Sequence, residues 1–201
     1  RARGQAWPGV GAALAAPAGW EITQLTTNSG GSYALDTDGE WLVWLRYDAA
    51  SSSSEVMVRN LATGEVRQVT NDKTSKTSPL VNDDSIVWST YALGSSEIRG
   101  YLYHLPSGPL QDLGLIPKPP SSYDDGRFAY RKMITGQPRA EVYVYDLATK
   151  QSTLITADGD YPSLRGSFLA YTSFVQDVGD ALYLRNLGTG HSPAISTTAS
   201  A

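Results

Sequence analysis

Leu42-Val43-Trp44, followed by Val56-Met57-Val58-Arg59-Asn60-Leu61 and the turn Ala62-Thr63-Gly64, is the stretch on which the reading of this chain depends. The first run, strand B, returns as Ile86-Val87-Trp88, Phe128-Ala129-Tyr130 and Leu169-Ala170-Tyr171, its aromatic residues 44, 42 and 41 positions apart. The second, strand C, returns at 101–105, 142–147 and 182–187, and its closing leucine recurs at intervals of 44, 42 and 40. Alternating β-branched and aromatic residues suit a pleated, half-buried surface, so both runs predict strands. Two runs sharing one period predict a repeated supersecondary unit.

Outward from these runs the unit completes itself. After strand C come short polar turns at 62–64, 106–108, 148–150 and 188–190, of the kind that close hairpins, and then fourth strands, D, at 66–70, 110–114, 153–156 and 193–196. Before each strand B lies a short strand A ending in an acidic or glycine turn, at 33–39, 79–84, 123–126 and 161–166. Four strands at a period near 42 match a propeller blade of about 40 to 50 residues. A β-sandwich shares the spacing but has no need to repeat residue types at fixed offsets. The expectation is an all-β, four-bladed β-propeller of four-stranded antiparallel blades at about 32–70, 77–114, 121–156 and 160–196. Residues 1–19 form an Ala/Gly/Pro-rich arm ahead of a propeller domain over 20–201. Trp44, Trp88, Tyr130 and Tyr171 share one repeat position and are expected to pack between blades.

The units resemble the blade repeats of TolB-like β-propellers, which read roughly as Asp-Gly, an apolar-apolar-aromatic run, a Tyr-rich strand ending Asp-Leu-x-Thr-Gly, and a strand ending Leu-Thr. Asp38-Gly39 with Leu42-Val43-Trp44, then Asn60 to Gly64 and Val69-Thr70, fit this pattern; Asp125-Gly126, Tyr143 to Thr149 and Ile155-Thr156 fit it nearly as well. The resemblance covers 20–196 and implies architecture rather than one function, since it is met in binding modules, cell-surface proteins and peptidase accessory domains. The departure is in number: such propellers usually carry six or more blades, and this chain holds four.

Ile22, Thr23, Gln24, Leu25 and Thr26 read as one more strand D, Leu25 preceding Val69 by 44 residues. The chain therefore has four strands each of types A, B and C, but five of type D. Either the N-terminal strand closes its own ring and the 191–196 segment has no seat, or the C-terminal segment fills blade four and the N-terminal strand is surplus. A surplus strand facing an uncovered edge invites pairing with another chain, and head-to-tail donation that does not close makes a filament.

Composition narrows the rest. Lys plus Arg number 16 against 20 for Asp plus Glu, a net charge of −4 with scattered basic residues, which argues against nucleic acid. There is no Cys, hence no disulfide, thiolate metal site or Cys nucleophile, and no apolar run nears the ~18 residues of a membrane span. Arg1 in place of Met, with the small-residue arm, suggests a processed protein, secreted, extracellular or at the cell surface, with the periplasm as a variant. His104 stands where other repeats have Asn60, Asp146 and Asn186, a turn position rather than a base. The acidic pairs Asp36/Asp38, Asp83/Asp84, Asp124/Asp125 and Asp158/Asp160 recur at one place in the repeat, where Asp serves turn geometry; Asp158-Gly159-Asp160 comes nearest to a Ca²⁺ loop. With no nucleophile–base pair, phosphate loop or metal cluster, the expectation is a non-enzymatic protein without cofactor, whose partner is itself or another surface protein. The alternative is a monomeric propeller binding a ligand or peptide at the mouth of its channel.

Overall fold

The structure is a computed structural model that describes residues 24–26, 31–91, 96–136, 139–176 and 179–196. Among the described residues all regular structure is β, in fifteen strands. The first unit pairs β1 (Ser32–Thr37), β2 (Trp41–Asp48), β3 (Ser53–Asn60) and β4 (Val66–Gln68) in chain order, all antiparallel. The second pairs β5 (Lys76–Asn82), β6 (Ser85–Tyr91), β7 (Ile98–His104) and β8 (Leu110–Ile116) in the same way. The third and fourth are joined: β9 (Ser122–Asp124), β10 (Arg127–Met133) and β11 (Ala140–Asp146) lead into the 15-residue β12 (Gln151–Arg165), and β13 (Phe168–Val175), β14 (Gly179–Asn186) and β15 (Ala194–Ser196) follow. The first half of β12 is the outer strand of the third unit and its second half the inner strand of the fourth. The sequence reading treated 153–156 and 161–166 as separate strands; they are one. Gly159 lies at the seam, where a Cβ would come within 2.6 Å of the Thr156 side chain and 3.2 Å of the Thr172 carbonyl.

The core lies between units. Val43, Leu45, Val56 and Val58 of the first pack against Val81, Ile86, Trp88 and Leu105 of the second. Val87, Ile98, Leu102, Leu113 and Ile116 pack against Tyr123, Phe128, Tyr130 and Tyr145 of the third, and Ala129, Val142, Val144 and Ile155 against Leu164, Leu169 and Tyr171 of the fourth. Each fully buried large side chain contributes about 1.5–3 kcal/mol. Packing of this kind links successive units; among the described strands none of comparable extent links the fourth unit to the first. Among the described residues the units thus form a curled row, with no comparable packing that closes it into a ring.

Two local devices recur. The repeat leucines donate their amides to the preceding A–B turn, Leu61 to the Glu40 carbonyl, Leu105 to Asp84, Leu147 to Gly126 and Leu187 to Ser167, at 2.6–2.9 Å. That contact ties strand C to the tip of the inner hairpin and accounts for the Asn/Asp-Leu pattern, because the Asn60, Asp146 and Asn186 side chains accept the amides of the turn that follows. The second device is a bulge in the inner strand. Ala34, Ser78 and Tyr161 have φ near +50°, and the register with the neighbouring strand slips at each. The matching residue of the third unit is Pro120, whose ring holds φ near about −65°. There the inner strand shrinks to the three residues of β9.

Candidate binding cleft

At the A–B turns the repeat aligns Asp38, just past the end of β1, with Asn82, Asp124 and Arg165, the last residues of β5, β9 and β12, at spacings of 44, 42 and 41. Three of them meet. Asn82 Nδ2 donates to Asp124 Oδ1 at 2.7 Å, the Arg165 guanidinium donates to Asn82 Oδ1, and the Gly166 amide donates to the other oxygen of Asp124. Asp124 is buried, so these bonds replace the water its carboxylate gives up. They also join the inner edges of the second, third and fourth units. Ser122 strengthens the same junction, its hydroxyl accepting the Leu164 amide at 2.8 Å, and Asp36 accepts the Val81 amide at 3.0 Å between first and second.

Around this hub the four inner strands line a cleft of about 310 Å³, with Asp36, Thr37 and Asp38 on one wall, Leu80, Val81 and Asn82 on the next, Ser121, Ser122 and Tyr123 beyond, and Pro162, Ser163 and Arg165 on the last. Asp38 Oδ1 accepts the Glu40 and Trp41 amides, while its Oδ2 is buried with no hydrogen-bond partner among the described residues. Burial pushes the Tyr123 hydroxyl above its ordinary value, so it stays a neutral donor. Such a lining offers acceptors on the Asp36/Asp38 side and a cation at Arg165, which suits the backbone and charged groups of a polypeptide. The sequence reading saw the acidic pairs as turn residues and missed the hub. Aligning 38, 82, 124 and 165 by the period was the available signal.

The sequence-singled residues fall as follows. Trp88, Tyr130 and Tyr171 lie in the clusters between units, each stacked on the strand-C tyrosine directly opposite: Trp88 on Tyr101 (5.8 Å between centroids), Tyr130 on Tyr143 (5.1 Å) and Tyr171 on Tyr183 (5.5 Å). These tyrosines therefore pack across strands. Trp44 is also buried, but faces Met57 instead of a tyrosine, and its Nε1 has no hydrogen-bond partner among the described residues. Asp158 and Asp160, the nearest approach to a Ca²⁺ loop, face arginines: Asp160 is bound by Arg131, and Asp158 lies 3.7 Å from Arg139. His104 Nδ1 is 3.2 Å from the Ser85 hydroxyl, and the His104 carbonyl accepts the Gly108 amide, a turn role. Of the expected assembly strand, Ile22 and Thr23 lie outside the described residues. Gln24, Leu25 and Thr26 form no strand, and Leu25 is exposed. β15 pairs with β14 and takes the outer seat of the fourth unit.

No protein-family profile and no curated protein matches the sequence. Solved structures do. The putative TolB from Agrobacterium tumefaciens is 13% identical with a TM-score of 0.61 over 86% of this chain and 64% of that one. A Mycobacterium tuberculosis puromycin-hydrolyzing peptidase is 19% identical with a TM-score of 0.58, over 88% of this chain and 30% of that one. A chain of a nidogen/laminin complex is 12% identical with a TM-score of 0.57, over 91% and 69%. The chain thus spans less than two thirds of the TolB-type protein it matches. Identities this low speak for the fold, and they agree with the repeat, the antiparallel four-stranded units and the cores between them: the chain has the TolB-like β-propeller fold.

Proposed function

We propose that the chain is a non-enzymatic propeller module, secreted or at the cell surface, that works by protein–protein association, first of all with copies of itself. The observation that carries this reading is the seating of β15. With the outer position of each of the four units taken by β4, β8, β12 and β15, the N-terminal strand that the sequence counts as a fifth of its type is surplus, which favours its pairing with an exposed edge strand of another copy. Donation repeated head to tail builds a filament. Light scattering with negative-stain imaging tests the idea: intact protein forms polymers that are lost, with the fold retained, when residues 1–26 are removed. Polymers that survive the deletion, or an intact chain that never forms them, refute strand donation.

A second reading, a ligand-binding propeller, is favoured by the cleft. Its unpartnered Asp38 oxygen and Arg165 suit an extended peptide that brings a donor to one wall and a carboxylate to the other. Titration of a peptide library against intact protein and Asp38→Asn distinguishes it, because binding through the cleft weakens in the variant whereas polymerisation does not change.

A further inference from the structure

Where the first unit meets the second, beside the A–B turns, lies a recess of about 300 Å³ that shares no lining residue with the central cleft. Trp41, Leu105 and Pro106 give it apolar walls, and Glu40, Asp83 and Asp84 line the rest. The turns that carry these carboxylates are held by backbone bonds: the Glu40 carbonyl accepts the Leu61 amide at 2.8 Å and the Asp84 carbonyl the Leu105 amide at 2.6 Å. The carboxylates themselves are only partly used. Asp83 Oδ2 accepts a proton of the Asn82 side-chain amide at 3.1 Å, and Asp84 Oδ1 accepts the Ser85 hydroxyl at 2.9 Å. Among the described residues no cation forms an ion pair with Glu40, Asp83 or Asp84.

The repeat shows what is particular to this place. The same corner recurs between the second and third units as Asp84, Ser85, Asp125, Gly126, Leu147 and Ala148, and between the third and fourth as Gly126, Arg127, Gly166, Ser167, Leu187 and Gly188. Of these three corners only the first combines an aromatic ring with three carboxylates. Turn geometry does not require them. Glycine fills the left-handed position of Asp83 in the first and fourth units, as Gly39 and Gly166, and Gly126 and Ser167 stand where the third and fourth units match Asp84.

We propose that this recess is a docking site for an arginine side chain of a partner polypeptide, its guanidinium held by Glu40, Asp83 and Asp84 and stacked on Trp41. The proposal rests on protein association as the function, and names a surface other than the donated strand and the central cleft. Charge complementarity commits it to that occupant, because an apolar recess with carboxylates and no cation suits a cation on an apolar stem. Among the described residues no three acidic or imidazole side chains stand close enough to share a metal ion, so a charge spread over several atoms fits where a point charge does not. Guanidinium is such a charge; it is planar, stacks on aromatic faces and bonds carboxylates in pairs, which an ammonium cannot do. The chain makes the same contact internally: Arg67, which lines a small adjoining recess sharing Trp41 and Pro106, lies 5.7 Å from the centroid of the Tyr103 ring. The volume is at the lower end of the about 300–1,000 Å³ of ligand sites, room for one long side chain.

The probe is the capped tripeptide acetyl-Gly-Arg-Gly-amide, with its lysine and citrulline counterparts, titrated against the full chain. Saturation-transfer NMR reads the peptide's own protons and therefore serves monomer and polymer alike. The arginine peptide is expected to bind saturably with a dissociation constant of about 1 mM, since exposed ion pairs are screened. Asp83→Asn with Asp84→Asn raises that constant at least about tenfold, whereas Asp125→Asn, at the same turn position one unit on, leaves it unchanged. Asn accepts the left-handed backbone as Asp does, so all three variants keep the thermal melt of the parent, which is checked alongside. Absence of saturable binding up to about 20 mM overturns the site. Citrulline binding as tightly as arginine overturns charge as the basis of recognition, lysine binding as tightly overturns arginine as the occupant, and an equal loss in Asp125→Asn overturns the recess in favour of diffuse charge. The paired Asn variant leaves polymer formation by strand donation unchanged, and removal of residues 1–26 leaves peptide binding unchanged, so either idea fails without the other.

Discussion

Replacing Lys76 by Met is the sharpest way to ask what holds the first two units together. Lys76 enters β5 with its side chain fully buried, and its Nζ lies 2.9 Å from Glu55 Oε2 and 2.9 Å from the Thr74 carbonyl, with Asp72 as a third, exposed partner. Glu55, buried on β3, also accepts the Lys73 amide at 2.9 Å and the Thr70 hydroxyl at 2.5 Å, and Thr70 in turn accepts the Val56 amide. The network therefore pins the connection from β4 to β5. Removing the cation leaves a buried carboxylate with two donors and no counter-charge, a loss of about 3–5 kcal/mol. Asp72 adds under about 1 kcal/mol, being exposed. Such a loss is a large share of the about 5–15 kcal/mol that stabilises a domain. Replacing both charges, as Glu55→Leu with Lys76→Met, removes the unpaired charge but orphans the Lys73 amide. The double variant is expected to lose less than the sum of the single ones, with a coupling of at least about 1.5 kcal/mol. Urea titration followed by Trp fluorescence measures all three. A Lys76→Met loss below about 1 kcal/mol at unchanged m-value would show that the pair is hydrated in solution and the reasoning mistaken.

Gly100→Ala places a Cβ 2.8 Å from Ile116 Cγ2 and 3.4 Å from Leu113, in the packed core between second and third units, and should lose about 1–3 kcal/mol in the same titration; a neutral result means that β8 shifts freely. A double-mutant cycle over Tyr130→Leu and Tyr143→Leu should return about 0.5–1.5 kcal/mol of coupling for the stacked pair, whereas additive losses would reduce the stacking to plain burial. In acid, the Thr149 amide, then its hydroxyl, hold Asp146 below its ordinary 3.8. Its contribution is thus present above about 3.8 and lost as pH falls through the lowered folded value. Asp146→Asn keeps the turn, as Asn60 and Asn186 do, so it should flatten the stability–pH slope below pH about 4 while leaving neutral-pH stability nearly unchanged.

Much of the fold was legible because the unit is repeated. The run Leu42-Val43-Trp44 alone is ambiguous, but its return at a constant period fixed strands B and C, and the turn residues between them fixed D. What the pattern did not disclose is instructive in physical terms. Periodicity finds strand content and does not see that Gly159 lets the 153–156 and 161–166 runs share one continuous strand, since that depends on the close approach of Thr156 and Thr172. It aligned Trp44 with Trp88, Tyr130 and Tyr171 without showing that the aromatic partner opposite is missing in the first unit, where Met57 stands. Turn chemistry explained Asp124 so well that its convergence with Asn82 and Arg165 went unseen; both of its oxygens accept bonds from other units, one from the Asn82 side chain and the other from the Gly166 amide.

Repetition also makes the ends of the row different from its middle. Every interior face has two sheets to satisfy it, as with Val142 and Ile155 against Leu169 and Tyr171. The outward face of the fourth unit repeats apolar positions that are buried in the units before it. A ring would settle this within one chain; an open row leaves Phe168, Leu182 and Ile195 in water. Exposure of that kind is tolerated in monomers only over small areas. The repeat that made the architecture readable thus also makes these exposed residues stand out, because their buried counterparts lie beside them in the same chain.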